Sequence, residues 1–132
     1  LDFWKIAMRP GKPMIFGRRE NQLVLGLPGN PVSSMICTRV FAVPLVERML
    51  GHAAATDSRQ HTAVLSRDVE KNGPRTHFMR ARRADDGTVV PAESQDSSLI
   101  MLLADANCLI VRPPGADALP AGTNVDVLLL DF

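Results

Sequence analysis

Two short stretches of this chain set cations and hydroxyls on turns stiffened by glycine and proline. In MRPGKP, Met8 to Pro13, Arg9 and Lys12 flank a Pro-Gly pair, so both charges sit on a rigid loop after a strand-like run. In GLPGNPVSS, Gly26 to Ser34, Asn30 and Pro31 stand ahead of a long apolar segment as an N-cap and a first helical residue do. The first turn of such a helix presents unpaired N–H groups at the positive end of its dipole. Gly29 permits close approach, and Ser33 and Ser34 add hydroxyl donors. A rigid pair of cations near oriented donors suits a tetrahedral oxyanion. Plain capping explains Asn30, Pro31 and Ser33 as well, so the stretch alone supports both readings.

A third candidate lies downstream. In THFMRARRA, strand alternation puts Arg80 and Arg82 on one face and Met79 and Ala81 on the other. SQDSS, Ser94 to Ser98, then offers several hydroxyls in a turn. An edge strand protected by charge, followed by a polar turn, is the plainer reading. Other catalytic patterns are missing: the chain has no GxSxG, no HExxH and no carboxylate pair spaced for acid–base work. His52, His61 and His77 are scattered and read as surface or internally satisfied histidines. Cys37 and Cys108 lie in apolar surroundings without ligand spacing, which predicts buried reduced thiols and no zinc site. No residue is assigned as catalytic or as a metal ligand.

Fifteen basic and fourteen acidic residues leave a net charge of +1, which argues against nucleic acid as the main partner. The charge is uneven, however. Lys5, Arg9, Lys12, Arg18 and Arg19 face a single acid, Asp2, over residues 1–19. From Thr88 onward only Arg112 stands against six acids. No apolar run has the length of a membrane span and no signal peptide opens the chain, so the expectation is a soluble, cytoplasmic protein without a membrane partner. The start at Leu1, directly in strand-like sequence, suggests a fragment.

The elements that must position these residues change character near Gly51. Before it, LDFWKIAM, KPMIFG and QLVLGLP read as short strands, the last two joined as a hairpin through RRENQ. The apolar segment from Val32 to Leu50 reads as one helix that ends at Gly51, with Pro44 bending it and removing one hydrogen bond. It is apolar over more than one stripe, so it must be covered on several sides. After a polar linker from His52, six strands are expected: HTAVLSRDV, THFMRARRA, TVVPA, SLIMLLA, NCLIVRP and NVDVLLLDF. Strands without intervening helices predict a small β-barrel or sandwich. The fold class is therefore α+β, a hairpin and long helix followed by an all-β barrel.

Taken in order, FWKIAMRPGKP, GLPGNPVSS before the long helix, FMR and SQDSS resemble one family. It is the C-terminal part of the molybdopterin molybdenumtransferases, the MoeA proteins of bacteria and the gephyrin E domain of animals. The resemblance runs over essentially the whole chain. It implies that residues 1–51 are the end of an α/β, MogA-like domain that binds the pterin nucleotide, 52–56 a linker, and 57–132 a complete β-barrel. The implied activity is insertion of molybdate into adenylylated molybdopterin with release of AMP, assisted by Mg²⁺ whose ligands fall outside this chain. The molybdate-binding positions it implies are Arg9, Lys12, Pro13, Ser33, Arg80 and Ser97, with Gly29 and Asn30 as cofactor-binding residues at the helix start. Many members have lysine where this chain has Arg9, and a turn that usually reads Gln-Gly-Ser is Gln95-Asp96-Ser97 here. A homodimer is expected from the resemblance. A scaffold or protein-interaction module of the gephyrin type is the alternative. An RNA-binding barrel built on Arg80, Arg82 and Arg83 is weaker, because no aromatics interleave with these arginines.

Overall fold

The computed structural model of the chain describes residues 2, 5–52, 60–96 and 101–131. The expected hairpin is present. Strands β2 (Ile15–Arg19) and β3 (Gln22–Gly26) pair antiparallel from Ile15 opposite Gly26 to Arg19 opposite Gln22. Glu20 and Asn21 form the turn, Glu20 with a left-handed φ of 52°. Of the strand expected in LDFWKIAM, the described residues form β1 at its end (Met8–Arg9), which pairs in parallel with a distant strand, while the Asp2 amide donates to the Phe16 carbonyl of the hairpin at 3.0 Å.

The helix begins where the capping residues require. The Ser33 amide donates to Asn30 Oδ1 at 3.0 Å, and Pro31 opens α1 (Pro31–Cys37). The helix runs on through a π-helical turn, Thr38–Ala42, into α2 (Val43–Met49). The wide turn lies directly ahead of Pro44, which has no N–H to continue the ladder, and the Val43 amide reaches back five residues to the Thr38 carbonyl. Gly51, at φ 84°, ends the helix in a Schellman arrangement. Its amide bonds to Arg48 at 3.1 Å and that of His52 to Glu47 at 3.0 Å.

Downstream, β4 (Gln60–Leu65), β5 (Thr76–Arg83), β6 (Thr88–Pro91), β7 (Cys108–Arg112) and β8 (Asn124–Leu129) close on themselves. The circuit runs β5, β6, β4, β8, β7 and back to β5, so the five strands form a barrel. β1 attaches beside β5, with Met8 opposite Thr76 and Arg9 opposite His77. β5 is therefore paired on both sides, and the expectation of an exposed edge strand around Arg80 is overturned. The strand expected in SLIMLLA is overturned too, because its described part, Met101–Ala104, is a one-turn helix, α3. Leu, Met and Ala are good helix formers, and Met101 is exposed, which an inward-facing barrel position would not allow.

Two apolar cores form among the described residues. The first fills the barrel with Ala63, Leu65, Val89, Cys108, Ile110 and Val127, among others. The second lies between the barrel's outer face and the helix, joining Met8, Met14, Val32, Ile36, Cys37 and Leu109 with half-buried Phe41, Phe78 and Leu128. β7 separates the two, with Cys108 and Ile110 facing in and Leu109 facing out. Burial on both faces is why its sequence is continuously apolar rather than alternating. Arg39 of the π-helical turn is 2% exposed and ties the helix to the chain end. Its Nε donates to the Leu129 carbonyl at 2.8 Å, and Nη2 lies 2.9 Å from the Asp131 carboxylate.

Candidate functional site

The loop from Arg9 to Pro13 leaves β1 through a cis Arg9–Pro10 bond and folds back over the helix start. Gly11 makes the approach possible. It has a φ of 108°, and a Cβ there would stand 2.4 Å from Cys37 Sγ, so any other residue would be strained and would have to push the Cys37 side chain aside. Cys37 and Ser33 are one helical turn apart on the same buried face. Seating Gly11 on Cys37 therefore carries Lys12 and Pro13 alongside Ser33. The Lys12 carbonyl, accepting from the Ile6 amide at 3.1 Å, fixes the far side of the loop.

The facing wall comes from the segment after β6. Gln95 imitates a strand partner for Arg80: its Oε1 accepts from the Arg80 amide at 2.9 Å and its Nε2 donates to the Arg80 carbonyl at 3.0 Å. The Arg80 guanidinium then reaches under the segment and donates to the Ser94 and Asp96 carbonyls at 3.3 and 2.9 Å. Between the two walls lies a cleft of about 670 Å³. Arg9, Lys12, Pro13, Ser33 and Arg75 line one part of it, and Glu93 to Asp96 the other.

Four expected positions thus meet in one cleft: Arg9, Lys12, Pro13 and Ser33. Arg80 stands behind the wall rather than on the lining, 2% exposed, with burial pulling its pKa below the guanidinium value and Asp96 opposing that shift. Asn30 is engaged in the cap, Gly29 is exposed, and neither lines the cleft. Ser97 lies outside the described residues. Sequence reasoning missed Arg75, whose Nη1 donates to the Met8 carbonyl at 3.4 Å. The β1–β5 pairing that brings it here joins segments 67 residues apart, so no local pattern could reveal it. It also passed over the Gln95 amide in favour of the neighbouring hydroxyls.

The field around these residues is positive. His77, 8% exposed, has its pKa lowered from 6.5 to about 4, by burial first and then by Arg9, Arg80, Arg112 and Arg75. A neutral imidazole surrounded by fixed cations marks a place where a negative ion is favoured over a positive one. Among the described residues no three His, Cys, Asp or Glu side chains converge to hold a metal ion. No described helix is long and apolar enough to cross a membrane.

Residues 62–130 match the family model described as the MoeA C-terminal region (domain IV), and residues 1–48 match that of a probable molybdopterin binding domain. The chain is 33% identical over 132 residues to a molybdopterin molybdenumtransferase of Staphylococcus aureus, covering 98% of this chain and 31% of that protein. The protein of the same name from Haemophilus influenzae is 30% identical, with 96% and 32% covered. The chain spans about a third of the length of these curated relatives. Among solved structures it is similar to a molybdenum cofactor biosynthesis protein from Pyrococcus furiosus, with TM-score 0.80, 26% identity and 96% and 44% of the two chains covered. It is also similar to a molybdopterin biosynthesis moea protein from Pyrococcus horikosii, with TM-score 0.79, 29% identity and 97% and 31% covered.

Proposed function

The chain belongs to the MoeA family through its C-terminal region, and we propose from this that it is part of an enzyme of molybdenum cofactor synthesis. In this reading the whole protein inserts molybdate into adenylylated molybdopterin and releases AMP. Residues 1–51 are then the end of the pterin-binding α/β domain and 57–132 the barrel that closes over it.

The observation that carries the reading is the convergence of Arg9, Lys12, Pro13 and Ser33 on one cleft, walled by a segment that Arg80 holds from behind. Molybdate is a dianion. Arg9, Lys12 and Arg75 supply charge, the Ser33 hydroxyl supplies a donor, and the loop geometry fixes all of them before the ion arrives. These groups bind and orient the oxyanion while its oxygens are exchanged for the dithiolene sulfurs of the pterin. Ser97 belongs to the same proposed set, and Asp96 beside it brings a negative charge to the rim. Gly29 and Asn30 are proposed to approach the pterin nucleotide at the helix start. The family implies Mg²⁺, but the described residues offer no converging carboxylates to hold it, so no step here depends on the ion.

In the full-length protein, Lys12→Ala is expected to lower conversion of adenylylated molybdopterin and molybdate to cofactor by at least about ten-fold, the loss of one charge-assisted contact. Arg80→Ala is expected to do the same by releasing the wall. Normal turnover in both variants would sink the assignment. A homodimer and a cytoplasmic location belong to the same reading. The exposed Val46, Met49 and Leu50 at the end of the helix support a covered surface there. The scaffold alternative predicts instead a stoichiometric protein partner whose binding survives loss of Arg9 and Lys12.

A further inference from the structure

Strand alternation places Cys108, Ile110 and Arg112 of β7 on the barrel's inner face, and Arg112 is paired directly with His77 of β5. At this end the apolar filling stops at Val69 and Met79, and a cleft of about 390 Å³ opens. Arg112 is 2% exposed. Its Nη2 donates to the carbonyls of Glu70 at 3.4 Å, Ala116 at 3.3 Å and Asp117, which gathers the two turns around the mouth. Its Nε and Nη1 are buried with no hydrogen-bond partner. Among the described residues no direct ion pair to Arg112 is formed, and the Asp117 carboxylate, which favours its charge, only partly offsets the effect of burial.

Such an arrangement is costly. A buried charged donor left without a partner loses its hydration and gains nothing in return. A barrel end that needed only closing would carry an apolar side chain. The mouth is also lined by the cations Arg9, Arg67 and Lys71 against the acids Asp68, Glu70 and Glu93, so four cations including Arg112 face three acids. Asp68 is already engaged, its Oδ1 accepting from the Ala121 amide at 2.8 Å. We propose that the barrel mouth is a second anion site, taking a phosphate-class oxyanion (inorganic phosphate or the end of a phosphate monoester) against Arg112 with Lys71 at the rim.

The site adjoins the oxyanion cleft but does not depend on the function proposed above. The two clefts share Arg9, Glu93 and Gln95, so they lie side by side. The charges of Arg9 on β1, Arg75 just before β5, Arg80 on β5 and Arg112 on β7 all act on the His77 imidazole, with Glu70 and Glu93 on the same mouth. An anion bound there offsets the arginines, which makes His77 a reporter of occupancy.

The test is titration of the purified protein with sodium phosphate, and separately with ribose 5-phosphate, followed by calorimetry and by the imidazole resonances of His77. Binding is expected to raise the His77 pKa, and Arg112→Gln is expected to weaken it by at least about ten-fold. Lys71→Ala, at an exposed position that leaves the mouth's hydrogen bonds intact, should weaken binding about three-fold. Lys12→Ala should leave it unchanged. Tighter binding of the ester than of phosphate identifies a larger molecule as the occupant, and equal binding identifies the free ion; both support the site. Three results would overturn it: an unmoved His77 resonance at saturating phosphate, full affinity in Lys71→Ala and Arg112→Gln, or loss of binding in Lys12→Ala.

Discussion

His77 shows how far one residue's chemistry depends on what the fold puts beside it. In the unfolded chain it protonates near 6.5; folded, it stays neutral down to about 4. Above the unfolded value neither state holds the proton, and the group has no effect on stability. As pH falls through that window the unfolded state takes up a proton that the folded state refuses, so stability declines with falling pH. The ceiling on the loss is about 3 kcal/mol. Urea midpoints measured between about pH 7 and pH 5 should fall less steeply in His77→Gln than in the parent protein. Parallel profiles would place the sensitivity elsewhere. Burial does most to suppress His77, and the positive field of the arginines that adds to it is what a bound oxyanion would use. The histidine itself gave no hint of this in the sequence, where it was one of three scattered imidazoles. The thiols were legible: Cys37 and Cys108 are both buried and free, with burial raising each to about 11.

At the scale of elements, local rules decided most of what was legible. Asn30 and Pro31 start the helix and Gly51 stops it, because cap geometry is set within a few residues. Asn30→Ala is therefore expected to cost about 1 kcal/mol, read as a lowered thermal or urea midpoint. An unchanged midpoint would mean that helix packing alone fixes the start. Pro44 was expected to disturb the helix, and the form of the disturbance, a π-helical turn ahead of it, follows from the missing donor. SLIMLLA was misread because apolarity does not distinguish a short strand from a helical turn. No partner for β1 could be read from the sequence, since a strand's hydrogen bonds go to whichever edge the tertiary fold offers, here that of β5.

At the scale of the molecule, the hairpin, helix and barrel are joined by a shared core. Leu109 is fully buried on the outer face of β7 and meets the helix there. Leu109→Ala is expected to destabilise the protein by about 2–5 kcal/mol, with helix and barrel still unfolding in one transition. Two resolved transitions in the parent protein would show that the core does not couple them. The sequence by itself determined the α+β class, both helix ends, the hairpin, and the residue types able to hold an oxyanion. Those properties rest on caps, turns and periodicities that span a few residues. Only the tertiary structure decided that Arg9, Lys12 and Ser33 meet, that Arg80 works from behind the wall, and that Arg75 and Gln95 join them. These depend on Gly11 seating against Cys37 and on β1 pairing with β5, contacts between segments too distant for any local pattern to encode.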